Sequence, residues 1–524
     1  MFKGSGSIDS VSWGKGVLTS LGATTILRLL SLWLAYRLFL ALCNISPFHP
    51  LHRFPGPKLA AASFVYEFWF DAIKGGRYGH EIKRLHDIYG PIVRINPEEL
   101  HCIAPDFIDE IYTGPNRRRD KQQHFLNISS GPLIESSFAT VDHDLHHIRK
   151  GALARYFSRG QVLRLEPEVR SLVNALCDKL LRSTDEPLDM NTAYSCLTSD
   201  TITQYAFGDS TGFVAQPGWE PNYRAPLRTF LDTVYVWKFF PFLSNIIRIA
   251  PYIAKYISGD VGLLMREMFE VIPARIQKAI EARERGEAQA NIWTDMLESP
   301  LLPPEEKTAH RLAGDGFALM FAGTETTAAI LTLITYYLLA QPATRQRLMD
   351  EIKDMDPRNL SWVALEQKSP YLGAVVLEGL RLGYGLSSRA PRVPRDEDLV
   401  YRKGEYEYVI PRGTPIGMTS VHVHLNEDIF PDAEKFMPER WLDEKGERRR
   451  DLEKYMMAYS RGSRMCQGIN FAYCVLYLVT AAMTLRVMPR MSLYKTTEED
   501  VKYDHDLALA QPKKGTTGVW VTIS

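Results

Sequence analysis

The sequence predicts a mainly α-helical domain with small β-sheets, preceded by an N-terminal membrane-anchor helix. Three patterns carry that reading. Val17 to Cys43 is almost continuously apolar, and about 20 such residues suffice to span a bilayer. Helical periodicity dominates from residue 140 to residue 385. Short β-branched and aromatic runs, bounded by turn residues, flank that stretch.

The apolar N-terminal run contains Arg28 and Arg37, charges that cost less in a bilayer when their stems snorkel to its edge. An uncleaved anchor is expected, with an interfacial amphipathic helix as the alternative. Lys3 and Lys15 lie on one side of it and Arg53 and Lys58 on the other, which leaves orientation open. Phe54-Pro55-Gly56-Pro57 is a stiff turn. It divides the chain into residues 1–53, anchor and hinge, and residues 54–524, one catalytic domain.

Within that domain Ile92–Ile95 and Glu99–Ile103 read as strands around an Asn96-Pro97 turn. Further strands are expected between Leu399 and Ile410 and at Gly518–Ile523. The most informative helix is predicted to begin at Pro304-Glu305-Glu306 and run to Ala340, where Pro342 stops it. That is about 36 residues, or roughly 54 Å. Its middle, Phe317 to Leu339, is apolar nearly all round, which marks a buried helix.

The composition is that of a globular protein, 45% hydrophobic and 24% charged, with 62 basic and 62 acidic residues among 524. With no basic stripe, nucleic acid is not an expected partner. The six cysteines (Cys43, Cys102, Cys177, Cys196, Cys466 and Cys474) form no CxxC pair. This argues against a disulfide framework and a zinc knuckle. Five of them are expected to be buried, inert thiols.

Cys466 differs in its neighbours. In Tyr459-Ser-Arg-Gly462-Ser-Arg464-Met-Cys466-Gln-Gly468 it stands where a loop enters an apolar helix. Free N–H groups at a helix start favour thiolate over thiol. Gly462 and Gly468 permit a tight turn and close approach of a flat ligand, and Arg464 suits a carboxylate. A second patch is Glu378-Gly-Leu-Arg381, an acid and a base three apart on one helical face. A third, Phe436-Met-Pro-Glu-Arg440-Trp441, offers a second arginine to that pair. The fourth is Ala322-Gly323-Thr324-Glu325-Thr326-Thr327 in the middle of the long helix. A buried acid needs a reason, and a threonine hydroxyl can bond the carbonyl four residues back and open the helix locally. Together they point to proton delivery, with a threonine-rich packing interface as the alternative.

These four patches, in this order, resemble the cytochrome P450 family of haem-thiolate monooxygenases. The cysteine loop fits F-x-x-G-x-R-x-C-x-G except at its first position, where Tyr459 replaces phenylalanine. Phe54-Pro-Gly-Pro-Lys-Leu-Ala-Ala-Ala-Ser and Tyr89-Gly-Pro-Ile-Val-Arg-Ile-Asn-Pro further resemble fungal secondary-metabolism members such as trichodiene-oxygenase-like enzymes. The resemblance implies the cytochrome P450 fold and haem b (iron protoporphyrin IX). It implies Cys466 as the axial, metal-binding thiolate, with Gly462, Gly468 and Tyr459 shaping the loop beneath the haem. Arg464 and Arg392 would meet the haem propionates. Glu378, Arg381 and Arg440 would form a structural triad, and Thr326 with Glu325 would relay protons. One departure stands out: the family pattern Trp-x-x-x-Arg has no tryptophan here. His146 with Lys150 fits that spacing best, and Leu145 with Arg149 less well.

The implied reaction is hydroxylation or epoxidation of an apolar small molecule, a terpenoid or related metabolite, using dioxygen. Electrons would come from NADPH–cytochrome P450 reductase, with Arg448-Arg449-Arg450, Arg149, Lys150 and Arg155 as candidate docking cations. The expected location is the endoplasmic reticulum membrane, catalytic domain toward the cytosol. Phe317, Phe321, Ala322, Thr326, Leu386 and Ser387 are the expected pocket liners. A haem-thiolate isomerase or dehydratase using no dioxygen, and a non-catalytic haem-binding protein, are the alternatives.

Overall fold

The structure, a computed structural model, describes residues 10–183, 186–244, 259–286 and 291–524, with backbone alone over 10–23. Lys3 therefore lies outside the described residues. The N-terminal helix spans Ser10–Ile45. Among the described residues three helices are long and apolar enough to cross a membrane, Thr24–Ile45, Ala309–Ala340 and Ile469–Arg486. Burial separates them: the protein covers 61% and 67% of the apolar windows of the last two and none of the first. Thr24–Ile45 is thus the candidate anchor. Cys43 lies on it and is exposed, unlike the buried thiol expected there, because this helix projects from the body.

The Phe54–Pro57 turn is docked rather than free. Arg94 N–H donates to Pro55 O at 2.8 Å, and a Cβ on Gly56 would meet Arg94 O at 2.3 Å. Arg94 also reaches Asn44 O at 3.0 Å with its guanidinium, tying the helix end to the sheet. That sheet has five short strands in the spatial order Ile92–Arg94, Leu100–Cys102, Ile416–Gly417, Arg392–Pro394, Arg119–Lys121. Smaller sheets include the Leu399–Lys403/Tyr406–Ile410 hairpin and the strand Trp520–Ile523, so the predicted strand regions are all present.

The long helix runs Ala309–Ala340. The sequence expectation of a start at Pro304 is corrected: Pro304–Lys307 is a separate 3-10 turn, and Thr308 caps the helix by accepting from Arg311 N–H. Proline and acids suit either kind of turn, so the cap decides. The helix stays α-helical through Thr326, although Thr326 Oγ1 does donate to Ala322 O at 2.8 Å. Its chief neighbour is the helix Met190–Phe207. Thr198 Oγ1 donates to Thr324 O at 3.0 Å, and Tyr194 and Thr335 hydroxyls share a 2.6 Å bond. A Cβ on Gly323 would lie 2.6 Å from Ile202, so the glycine buys close helix contact.

Glu378, on the helix Pro370–Gly383, is fully buried. It accepts from Arg381 twice (2.8 and 2.7 Å), Arg440 Nε (3.0 Å), Met437 N–H (2.9 Å) and Trp441 Nε1 (2.9 Å). Arg381 in turn donates to the carbonyls of His424 and Ala433. His424 bonds Arg381 O through Nδ1 and accepts from Met457 N–H through Nε2 at 2.8 Å. The chain thus reaches from Glu378 to the stretch leading into Cys466.

Two predictions follow from this packing. Glu378→Gln leaves two buried arginines without a counter-charge, so unfolding stability is expected to drop by about 3–5 kcal/mol in a urea titration. An unchanged midpoint would refute that. Burial also pushes His86 down to about 4 and His422 and His424 to about 3. An unfolded histidine titrates near about 6.5, so below that pH the unfolded chain binds the extra protons. Their contribution is fully present above about pH 6.5 and falls toward pH 4, by at most about 1.4 kcal/mol per unit per histidine. Urea midpoints across that range are expected to decline, with a shallower slope in His422→Gln.

Candidate functional site

The cysteine loop is built around Gly462. Its φ is +71°, and a Cβ there would lie 2.2 Å from Thr113 O. Glycine is therefore required for the turn. Cys466 N–H donates to Tyr459 O at 2.8 Å, closing the loop. The helix Ile469–Arg486 starts just beyond, with Gly468 as its first flanking residue. Nothing lies within 4 Å of where a Gly468 Cβ would stand. Cys466 is itself exposed toward open space, while Cys474, inside the helix, is buried. The two cysteines differ as their surroundings predict.

Although Cys466 is open on one side, the atoms packed around its sulfur raise the thiol, and the Gly468 N–H and Lys150 offset part of that rise.

Beside the loop is a cluster of cations. Arg464 donates to the carbonyls of Thr140 (2.8 Å), Val141 (2.8 Å) and Asp142 (3.1 Å), and its Nε has no partner among the described residues. Arg392 donates to Ala390 O, Pro391 O and Ser460 Oγ. Lys150 reaches Ser463 O and Met465 O at 2.9 and 2.7 Å. His146 is buried against Arg464, Lys121 and Lys150. Among the described residues no carboxylate bonds any of these groups. Burial and mutual repulsion push Arg464 down to about 9 and His146 far below its usual value. Buried cations normally have counter-charges. A ligand carrying carboxylates fits this cluster.

Sequence reading missed Lys121. Its ammonium donates to Phe138 O at 2.6 Å, and burial followed by Arg464 and Arg392 drives its pKa well down. It pairs directly with Arg392 across two strands, a like-charge placement that costs stability unless something anionic sits between. The available signal was the strand pairing, which a basic run Arg117-Arg-Arg-Asp-Lys121 does not reveal.

Above, the long helix opens one face. Ala322 and Ala329 are exposed and Ala318 and Thr326 half-buried, in a helix otherwise largely covered. The segment Ser136–Asp142 borders both open regions: its end receives Arg464, and Phe138 packs with Phe321 and Leu386. Glu325 is buried beside that face, its carboxyl raised by burial, and Oε2 has no partner among the described residues. Of the expected pocket liners, Ala322 is exposed and Phe321, Thr326 and Leu386 are half-buried. Phe317 and Ser387 are buried: Phe317 lies edge-on to Phe230, and Ser387 bonds Asp506 at 3.0 Å. Tyr459 packs at a tilt against Tyr473, with a buried hydroxyl lacking a partner among the described residues.

The expected docking cations divide. Arg149 is corrected: it turns inward and forks onto Glu306 at 2.7 Å, because its helix face meets the turn before the long helix. Arg448 and Arg449 pair with Glu453 and Asp451. Arg155 and Arg450 remain exposed.

The family model for cytochrome P450 matches residues 55–515. The chain is 40% identical to "Cytochrome P450 monooxygenase ppzE" of Metarhizium majus, over 80% of this chain and 92% of that protein. It is 36% identical to "Conidiogenone synthase PchP450" of Penicillium rubens, over 91% and 95%. It is 34% identical to "Cytochrome P450 monooxygenase TRI4" of Fusarium sporotrichioides, over 91% of each. With haem as that family's cofactor and monooxygenation its reaction, the chain belongs to the cytochrome P450 family.

Proposed function

We propose that the protein hydroxylates or epoxidises a terpenoid-sized apolar molecule, with Cys466 as the axial ligand of haem b. The observation that carries the reading is the buried cation cluster without carboxylate partners among the described residues, set beside an exposed cysteine. Arg464, Arg392, Lys150 and Lys121 would hold the propionates, with His146 packed among them. Gly462, Gly468 and Tyr459 would shape the loop beneath, Gly468 by leaving room for a flat ring. Bound haem supplies dioxygen activation.

The remaining work falls to the chain. Thr326 Oγ1, which donates to Ala322 O, keeps lone pairs free to accept a proton. Glu325 stands next to it with a carboxyl that burial inclines to hold one. Glu325, buried beside the open face, would hold the proton in reserve, and Thr326, on that face, would present the hydroxyl that passes one into the pocket. The apolar walls at Phe321 and Leu386 exclude water and favour a hydrocarbon body. The relatives named as a conidiogenone synthase and TRI4 are consistent with secondary metabolism.

Residues 1–53 would anchor the catalytic domain, residues 54–524, to the endoplasmic reticulum on its cytosolic side. NADPH–cytochrome P450 reductase would deliver electrons near Arg155 and Arg450. The adjoining Glu325-Thr326 pair favours a dioxygen-using reaction over isomerisation.

The reduced carbon-monoxide spectrum tests the ligand. The wild type is expected to show the thiolate-type band and Cys466→His to lose it; a band retained in the variant would refute the assignment. Thr326→Ala tests proton supply, using a terpenoid hydrocarbon that shifts the wild-type spin state. Product formed per NADPH consumed is expected to fall by about tenfold, a typical general acid–base effect being 10²–10⁴ at the upper range. Unchanged coupling would favour the reaction without dioxygen.

A further inference from the structure

A second buried charge cluster lies behind the pocket walls, and the proposed chemistry does not use it. Glu67 and Asp71 are its centre, both essentially without exposure. Lys238 Nζ reaches Asp71 Oδ2 at 2.9 Å and also pairs with Glu67. Arg389 pairs with Glu67, Asn96 Nδ2 donates to Glu67 Oε2 at 2.9 Å, and His124 Nε2 lies 3.2 Å from the same oxygen.

The partners come from different stretches of chain, and those carrying Asp71, His124 and Lys238 also line one apolar cluster. His124 precedes Phe125, Asp71 precedes Ala72, and Lys238 follows Tyr235 on the helix Val234–Phe239. Phe125, Ala72 and Tyr235 pack in the cluster that includes Phe321 of the open helix face. The helix carrying Lys238 therefore packs in the same apolar cluster as the open helix face, with its charge sunk into the neighbouring segment that carries Glu67 and Asp71. Tyr235 adds one further tie, donating to Asp506 O at 2.9 Å.

Burying a lysine between two acids is a poor way to gain stability, because desolvation offsets the attraction. It is an effective way to fix position: apolar contacts between Phe68 and Phe239 tolerate sliding, an ammonium between two carboxylates does not. Lysine also suits release. Its stem is flexible, and Val236 and Phe240 beside it are exposed at 43% and 39%, so water is one side-chain length away. When it leaves, Arg389 and His124 still face Glu67, so that acid is not left without a partner.

We propose that Lys238 is the latch of the pocket roof: buried between Glu67 and Asp71, it holds the helix Val234–Phe239 down, and its withdrawal admits bulky apolar molecules to the open face of the long helix. Lys238 is a positioning residue, acting through the roof. This rests on the reading of that face as part of an apolar substrate pocket, but its test does not need a substrate.

The test uses the full-length haem-loaded protein, wild type, Lys238→Met and Lys238→Arg. Two azoles probe access by their spectral shift on binding, imidazole as a small probe and clotrimazole as a bulky one. In Lys238→Met, amide hydrogen exchange over Val234–Phe239 is expected to accelerate by about tenfold. Clotrimazole association should rise by about threefold while imidazole stays within about twofold of wild type. Lys238→Arg, which keeps the charge, should stay near wild type. Unchanged exchange and clotrimazole rate would overturn the proposal; so would an equal rise for both azoles, which would mean general loosening. If Lys238→Met does not hold haem, the double variant K238M/E67Q, which removes one charge of each sign, is judged by the same outcomes. Failure of the substrate assignment alone would leave the azole contrast intact.

Discussion

Glu378 accepts five hydrogen bonds from two stretches of chain, and a carboxylate this deeply buried is tolerated only with such partners. Its own helix supplies Arg381, and the turn at Pro438–Trp441 with the residue before it supplies the rest. Arg381 then fixes His424, and His424 fixes Met457 just ahead of the cysteine loop. The loop has few apolar contacts of its own. Its shape is inherited from this polar frame and from Gly462, whose left-handed turn presses against Thr113.

The site above that frame shows the opposite economy. Lys121, Lys150, Arg392 and Arg464 converge with carbonyls and a serine hydroxyl as their partners, and a like-charge pair faces across the sheet. A fold that satisfies Glu378 so completely does not tolerate such imbalance by accident of packing. Local rules broken in one place, and kept elsewhere, mark where a ligand completes the electrostatics.

Much of this was legible in the chain. The Glu378–Arg381 spacing, Arg440, the Gly462–Gly468 loop and the Glu325-Thr326 pair are local patterns, and their order along the sequence is itself informative. The start of the long helix was misplaced because Pro304-Glu305-Glu306 fits a 3-10 turn as well as an α-helix. Lys121 was missed and Arg149 misplaced because their roles depend on distant partners: Arg392 on the neighbouring strand in one case, Glu306 at 157 residues' separation in the other. The Lys238 cluster joins Glu67 and Asp71 to single residues from distant segments, His124, Lys238 and Arg389, so no window of sequence holds both an acid and a base of the cluster.

Trp69, Ile73 and Phe242 are more than half exposed, and Phe240, edge-on to Phe68, borders them. All four belong to the body rather than to the N-terminal helix. Cutting the chain after residue 53 would therefore not yield a freely dispersing protein. Its colloidal behaviour in plain buffer would be governed by this aromatic surface, and a mild detergent or charged replacements at these positions, more than the truncation, would decide whether it stays monomeric.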